Sequence, residues 1–267
     1  MTSKGYWEGQ FCIVTGAASG IGLATAQLLS DGGATVLGLD RNENAGTHAK
    51  VLSENKNLYR KCDLSVPEDI EKVFAEFKNS KLAALFNVAG LPTNGVGIEE
   101  TSVSDWDAII NVNLRAVFLT SKYSLPLFKN NGGGSIVNVS SVHAYSTMKN
   151  HAAYAASKGG MNSLTTELAI ELNPRSIRVV GVAPGSIRTP MTTSDLARDA
   201  ELLNSLGFPT DGKSIGHVGE PEEIARVLAW CASAEASFIT GTTIQADGGL
   251  LSRLGYERGN KENDKKY

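Results

Sequence analysis

Short runs of β-branched and aliphatic residues alternate with longer amphipathic stretches along nearly the whole chain. The runs Phe11–Thr15, Thr35–Leu39, Leu58–Cys62, Leu82–Asn87, Ser135–Ser140, Ile177–Ala183 and Thr242–Gln245 have the length and residue types of strands. Between them, Ile21–Asp31, Glu43–Asn55, Pro67–Asn79, Ser104–Lys129, Ala153–Leu172 and Pro221–Ala232 carry apolar residues at helical spacing. Strands that are apolar on both faces belong in a parallel sheet covered by helices on each side. The pattern therefore predicts an α/β fold, one doubly wound domain over residues 1–252 with a seven-stranded parallel sheet. No linker or internal repeat divides it. Two segments break the alternation. Residues 186–219 run long between a strand and a helix, as a substrate loop or lid does. Residues 253–267 are polar and read as a solvated tail.

Composition narrows the function. At 267 residues, with 42% hydrophobic and 20% charged, the chain has enough apolar residues for a core and is not disordered. A net charge of -3 argues against a nucleic-acid binder working through a basic face. Residues 1–7 hold no apolar signal segment, and no run of about 18 apolar residues occurs. The expectation is a soluble, cytoplasmic protein with no membrane partner. Cys12, Cys62 and Cys231 are odd in number and far apart, so they are read as buried hydrophobes. His48, His151 and His217 show no ligand spacing, and no metal is expected. Trp106 and Trp230 are read as core or subunit contacts.

The first predicted strand runs into Thr15-Gly16-Ala17-Ala18-Ser19-Gly20-Ile21-Gly22 and then a helix. Glycines there let the chain turn sharply and bring backbone N–H groups to a pyrophosphate at the helix N-terminus, where the helix dipole favours anions. The spacing G-x-x-x-G-x-G differs from the general dinucleotide fingerprint. Asp40 closes the second strand, 18 residues after Gly22, near the offset of a ribose-binding acid. A carboxylate there accepts from the ribose diol and repels a 2′-phosphate, which favours NAD(H). Arg41 beside it is the one group that would pair with such a phosphate.

Further along, Asn87-Val88-Ala89-Gly90 ends the fourth strand, Asn113 lies within the Ser104–Lys129 stretch, and Ser141 follows the fifth strand. Tyr154 and Lys158, at i and i+4, project from one helical face. With Thr15–Gly22, Asp63-Leu64, and Pro184-Gly185 with Thr189, these residues resemble the short-chain dehydrogenase/reductase family over roughly residues 10–250. Val88 departs from the pattern, where the family often has a second Asn or an Ala.

The resemblance implies a Rossmann-type domain and an NAD-dependent oxidoreductase acting on CH–OH donors, interconverting a secondary alcohol and a ketone. Tyr154 would move the hydroxyl proton. Its phenol, ordinarily near pKa 10, would be made acidic by the Lys158 ammonium and the positive nicotinamide ring. Lys158 would also hold the nicotinamide ribose, Ser141 the substrate oxygen, and Asn113 a water leading to solvent. Cofactor contacts would come from Gly16, Ser19, Gly20, Ile21 and Gly22 at the pyrophosphate, and from Asp40 and Arg41 at the ribose. Asn87 would line the adenosine side, Ile187 and Thr189 after Pro184-Gly185 would meet the nicotinamide carboxamide, and Ala89, Gly90, Pro184 and Gly185 would be further cofactor contacts. Asp63 is read equally as an adenine contact beside Leu64 or as a cap for the helix at Pro67. Gly185, His143 and Met191 would join Ser141 and Tyr154 around the substrate. The mixed residues of 186–219 suit a sugar, polyol or hydroxy acid and also a small hydrophobic ketone, with a sugar, polyol or other polar small molecule favoured. Relatives pair through the stretches Ser104–Lys129 and Ala153–Leu172, so a homotetramer or homodimer is expected. Two alternatives are an NADPH-dependent 3-oxoacyl-thioester reductase and a non-catalytic nucleotide-binding protein.

Overall fold

A computed structural model describes residues 7–42, 58–192 and 216–252. The strands are β1 (Phe11–Thr15), β2 (Thr35–Asp40), β3 (Leu58–Lys61), β4 (Leu82–Asn87), β5 (Gly134–Val139), β6 (Ile177–Pro184) and β7 (Thr243–Ala246). They form one parallel sheet in the order β3-β2-β1-β4-β5-β6-β7. The helices are α1 (Gly20–Asp31), α2 (Pro67–Glu76), α3 (Val103–Ile110), α4 (Ala116–Asn131), α5 (Ala152–Leu172) and α6 (Pro221–Ala232). The expected helix Glu43–Asn55, most of the expected lid and the polar tail lie outside the described residues.

Successive strand side chains point to opposite faces, and each face meets its own helices. Cys12 and Val14, Val36, Phe86, Val137, Val180 and Val182 pack with Ala26 and Leu29 of α1 and Ile224 and Leu228 of α6. Ile13, Leu37 and Leu39, Leu85, Ile136 and Val179 face the other way, onto Ile70 and Phe74 of α2, Leu119 and Phe128 of α4 and Leu168 of α5. Each such aliphatic or aromatic side chain contributes about 1.5–3 kcal/mol on leaving water. The three cysteines are free and buried within these layers.

Two helix boundaries depart from expectation. The stretch Ser104–Lys129 is not one regular helix: Asn111–Arg115 form a π turn in which Ala116 N–H donates to the Asn111 carbonyl, five residues back. One extra residue in the turn re-aims the backbone locally, a device common at functional sites. Asp63 does not cap α2. The N-cap is Val66, with Pro67, Glu68 and Asp69 in the first turn. Asp63 Oδ1 instead accepts from the Ser65 amide at 2.9 Å and the Ser65 hydroxyl at 2.7 Å, while its own N–H donates to Asp69. The short side chain closes a local turn before the helix begins.

β1 sits mid-sheet with β2 on one side and β4 on the other, so the order reverses there and a crevice opens beyond the strands' carboxyl ends. A single hydroxyl ties its floor. Thr15 Oγ1 accepts from Val88 N at 3.0 Å and Ala89 N at 3.1 Å and donates to the Phe86 carbonyl at 3.4 Å.

Candidate active site

The crevice is a cavity of about 620 Å³, within the range of cofactor sites. At its floor the glycine turn fits only glycine. Gly16 has φ +70°, and a Cβ on it would lie 2.9 Å from Ala89 Cα. A Cβ on Gly22 would lie 2.1 Å from the Gly16 carbonyl oxygen, so the helix start and the turn pack without room for a side chain. Ser19 is the N-cap of α1, yet its hydroxyl makes no capping bond. The first-turn N–H groups are thus not satisfied by that side chain, the arrangement that receives a phosphate.

Asp40 spans the turn. One carboxylate oxygen accepts from Ala18 N and the other from Asn42 N, each at 3.1 Å. Next to it, the Ser65 hydroxyl and amide hold the Asp63 carboxyl below the usual carboxylate range, with Arg41 adding to the effect against partial burial. The cradle suits a dinucleotide: a backbone anion site at one end of α1 and fixed carboxylates about the neighbouring strand ends.

On the far side of the crevice stand Ser141, Tyr154 and Lys158. Ser141 caps a short 3-10 turn, Val142–Ala144, its Oγ accepting from His143 N at 3.2 Å. Tyr154 and Lys158 share a face of α5, with the Lys158 ammonium 5.6 Å from the Tyr154 ring centroid. Lys158 is 3% exposed and donates to the Val139 carbonyl at 2.8 Å. Burial pushes its ammonium down to about 8. Burial pushes the Tyr154 phenol up from its ordinary value, against a hydrogen bond with Ser141 that favours its ionised form. The expectation of a Lys158-acidified phenol therefore meets a different balance in the protein alone. The ammonium donates to a backbone carbonyl, and loss of water around the phenol outweighs the Ser141 hydrogen bond.

Of the residues expected at the site, Gly16, Ser19, Gly20, Ile21, Gly22, Asp40, Arg41, Asp63, Leu64, Ala89, Gly90, Ser141, Tyr154, Lys158, Pro184, Gly185, Ile187, Thr189 and Met191 all line this one cavity. Three do not. Asn87 is buried, donating to Asn138 Oδ1 at 2.9 Å and accepting from Thr120 at 2.7 Å, so its amide braces β4 against β5 and α4. Asn113 Oδ1 accepts from Leu91 N at 2.7 Å, and its amide nitrogen donates to the Leu91 carbonyl and to Ser157. Both amide hydrogens are committed, so Asn113 has acceptor capacity at Oδ1 and the π turn's backbone to offer a water. His143 lies behind Tyr154, its ring edge-on to the phenol with centroids 5.5 Å apart.

Sequence reasoning passed over Asn42, Cys62, Leu91, Pro92, Val112 and Thr192, which also line the cavity. Asn42 was reachable, standing two residues beyond Asp40. Thr192 was legible only as one of the polar residues of 186–219. Its hydroxyl accepts from Thr189 N at 3.0 Å and donates to the Ile187 carbonyl, shaping the segment after Pro184-Gly185. No group of His, Cys, Asp or Glu suited to a metal occurs among the described residues.

Comparison with known proteins agrees with this geometry. A family model described as enoyl-(acyl carrier protein) reductase matches residues 16–251. The 3-oxoacyl-[acyl-carrier-protein] reductase of Thermotoga maritima is 39% identical over 91% of this chain and 98% of its own. Cyclohexanol dehydrogenase of an Acinetobacter species is 36% identical, covering 92% and 97%. A Beutenbergia cavernae protein described as an NAD(P)-dependent gluconate 5-dehydrogenase, solved with NADP bound at low occupancy, superposes with a TM-score of 0.83 at 30% identity, covering 92% and 98%. Fold and crevice define an oxidoreductase that uses a nicotinamide nucleotide on alcohol- or ketone-type substrates. The chain belongs to the short-chain dehydrogenase/reductase family.

Proposed function

We propose that the protein is an NAD(H)-dependent dehydrogenase that interconverts a secondary alcohol and a ketone. The observation that carries the reading is the meeting of Ser141, Tyr154 and Lys158 with the glycine turn and Asp40 around one cavity. The glycine turn would hold the pyrophosphate, Asp40 the adenosine ribose, and Asp63 and Leu64 the adenine. Ile187 and Thr189 would hold the carboxamide. When bound, the nicotinamide supplies the hydride acceptor or donor at its C4. Ser141 orients the substrate oxygen by hydrogen bonding, and Tyr154 takes or returns the hydroxyl proton. Lys158 keeps a positive charge 5.6 Å from the phenol ring and binds the ribose. General acid–base catalysis of this kind contributes about 10²–10⁴-fold, and a phenol without its hydroxyl cannot provide it.

NAD rather than NADP is supported by the carboxylate of Asp40 in the cavity wall and by the absence of a basic residue between Gly16 and Gly22. Leu91, Pro92, Pro190 and Met191 contribute apolar surface to the described wall, which favours an uncharged cyclic or branched alcohol over the sugar or polyol suggested by residues 186–219. The three unpaired thiols suit a reducing compartment, and the cytoplasm is part of this reading. So is a homotetramer or homodimer: Phe118 on α4 is 46% exposed and Ile170 on α5 is 74% exposed, on the helices expected to pair.

The test is NAD+ reduction across cyclohexanols, sugars, polyols and hydroxy acids, with Tyr154→Phe beside the wild type. The variant is expected to lose turnover by at least about 10²–10⁴-fold while still binding NADH. Near-normal turnover by it ends the reading.

A further inference from the structure

His143 and His151 lie in the loop between β5 and α5 and are not used by the chemistry above. Their rings are stacked, with centroids 4.7 Å apart and planes 9° from parallel. His143 also meets the Tyr154 ring edge-on, at 5.5 Å and 86°. Stacked and edge-to-face contacts are both favoured arrangements of aromatic rings. The three rings therefore form a continuous block, reaching from the half-buried His151 to the phenol in the cavity wall.

Each imidazole is fixed at its other end. His151 Nδ1 donates to the Lys149 carbonyl at 2.7 Å, which can only accept, so that nitrogen carries the proton. His143 Nδ1 lies 2.8 Å from Thr147 Oγ1. The loop carrying these partners is clasped from outside by Asn150, a non-glycine residue at φ +65°. Its amide donates to the Gly95 carbonyl and its own carbonyl accepts from Thr93, both at 3.0 Å. His143 has a second hold on the site, since its backbone N–H donates to Ser141 Oγ at 3.2 Å. One residue thus touches the proposed hydroxyl holder through its amide and the proposed proton carrier through its ring. Burial, with His151 adding to it, pushes His143 down to about 4, so the ring against the phenol is neutral across the physiological range.

We propose that the His143–His151 stack is a buttress that fixes the plane of the Tyr154 ring and keeps water from its inner edge, making both histidines positioning residues for proton transfer. The proposal rests on Tyr154 being the proton carrier. Three groups bear on that phenol: His143 perpendicular to its ring with centroids 5.5 Å apart, Lys158 at 5.6 Å, and the Ser141 hydroxyl. His151 stands behind His143, and the cavity carboxylates Asp40 and Asp63 belong to the ends of β2 and β3. Taking away the buttress therefore admits water to a ring whose ionisation burial opposes.

The experiment needs no substrate. Protein carrying 13C at the tyrosine Cζ positions is titrated by NMR without cofactor, the Tyr154 resonance being assigned as the one missing from Tyr154→Phe. In His143→Ala and in His151→Ala, Tyr154 is expected to titrate at least about one pH unit below the wild type, towards its ordinary value. His143→Phe keeps a ring edge and is expected to stay near the wild type. An unchanged titration in both alanine variants overturns the buttress, and so does a His143→Phe shift as large as that of His143→Ala. Turnover by Tyr154→Phe, by contrast, would overturn the role of the tyrosine and leave the titration to judge the packing.

Discussion

At the scale of single residues, the site is built from groups with two jobs. Asp40 offers a carboxylate to the crevice and also accepts Ala18 N, so it braces the turn that would receive the pyrophosphate. Asp40→Ala is expected to narrow the ratio of kcat/KM for NAD+ over NADP+ by at least about tenfold, since one charge repulsion is worth about 1.4 kcal/mol or more at close range. An unchanged ratio in initial-rate assays would show that Arg41 or another group sets the preference. Lys158 supplies a pH signature. Its ammonium, ordinarily at 10.5, is held near 8 in the folded protein. Between those values the unfolded chain keeps a proton that the folded one has lost, so this group's contribution to stability rises with pH across that window. Below about 8 both states are protonated and the penalty is constant. The stability of wild type relative to Lys158→Met should therefore improve by up to about 3 kcal/mol from pH 8 to 10.5, read by urea unfolding. A gap that does not move with pH would contradict a depressed ammonium.

At the scale of elements, periodicity made most of the fold legible. Runs of apolar, β-branched residues marked β1 and β4 to the residue and the other strands to within one residue at each end. The amphipathic stretch Pro221–Ala232 did the same for α6, whose start the structure secures with Pro221 in the first turn and a Glu220–Glu223 capping box. The π turn was not legible, because Asn111–Arg115 are ordinary helical residues and the extra residue shows only in a bond from position 116 to 111. Nor was the fate of the asparagines. Asn87 and Asn113 sit where the family's motifs place them, yet their amides are spent on neighbouring strands and loops, a matter of tertiary contacts that no spacing encodes. Arg178 was invisible for the same reason. From β6 its guanidinium donates to the carbonyls of Cys231, Ala232, Ser233 and Ile239 and to Ser135 Oγ, gathering the C-terminal end of α6 onto the sheet. A cation there satisfies carbonyls that the helix leaves open and opposes its dipole. Arg178→Ala is expected to cost about 2–4 kcal/mol in chemical unfolding, with Arg178→Lys recovering only part. A loss below about 0.5 kcal/mol would mean that water serves those carbonyls equally well.

At the scale of the whole molecule, the described surface shows large apolar side chains on α3, α4 and α5. Val103 of α3 is 77% exposed, Phe118 of α4 46% and Ile170 of α5 74%. Trp106 at 39% and Trp230 at 36% stand at the surface too, so neither belongs to the core. Two or four copies covering the α3–α4 and α5 faces would remove these groups from water. Light scattering is expected to give two or four times the 28.2 kDa of one chain, and a single-chain mass at micromolar concentration would refute the pairing. The crevice divides differently from the surface. Its floor is sewn together: the Thr15 hydroxyl joins the ends of β1 and β4, and Asn138 carries the brace on from Asn87 to Thr165 of α5. Leu91 and Pro92 line its edge, and the segment that follows them is tied to the loop before α5 through Asn150, whose amide donates to Gly95 and whose carbonyl accepts from Thr93. On the proposed reading, such an anvil with a replaceable edge would let substitutions around Leu91 and Pro92 exchange one alcohol for another while the chemistry beneath stayed unaltered.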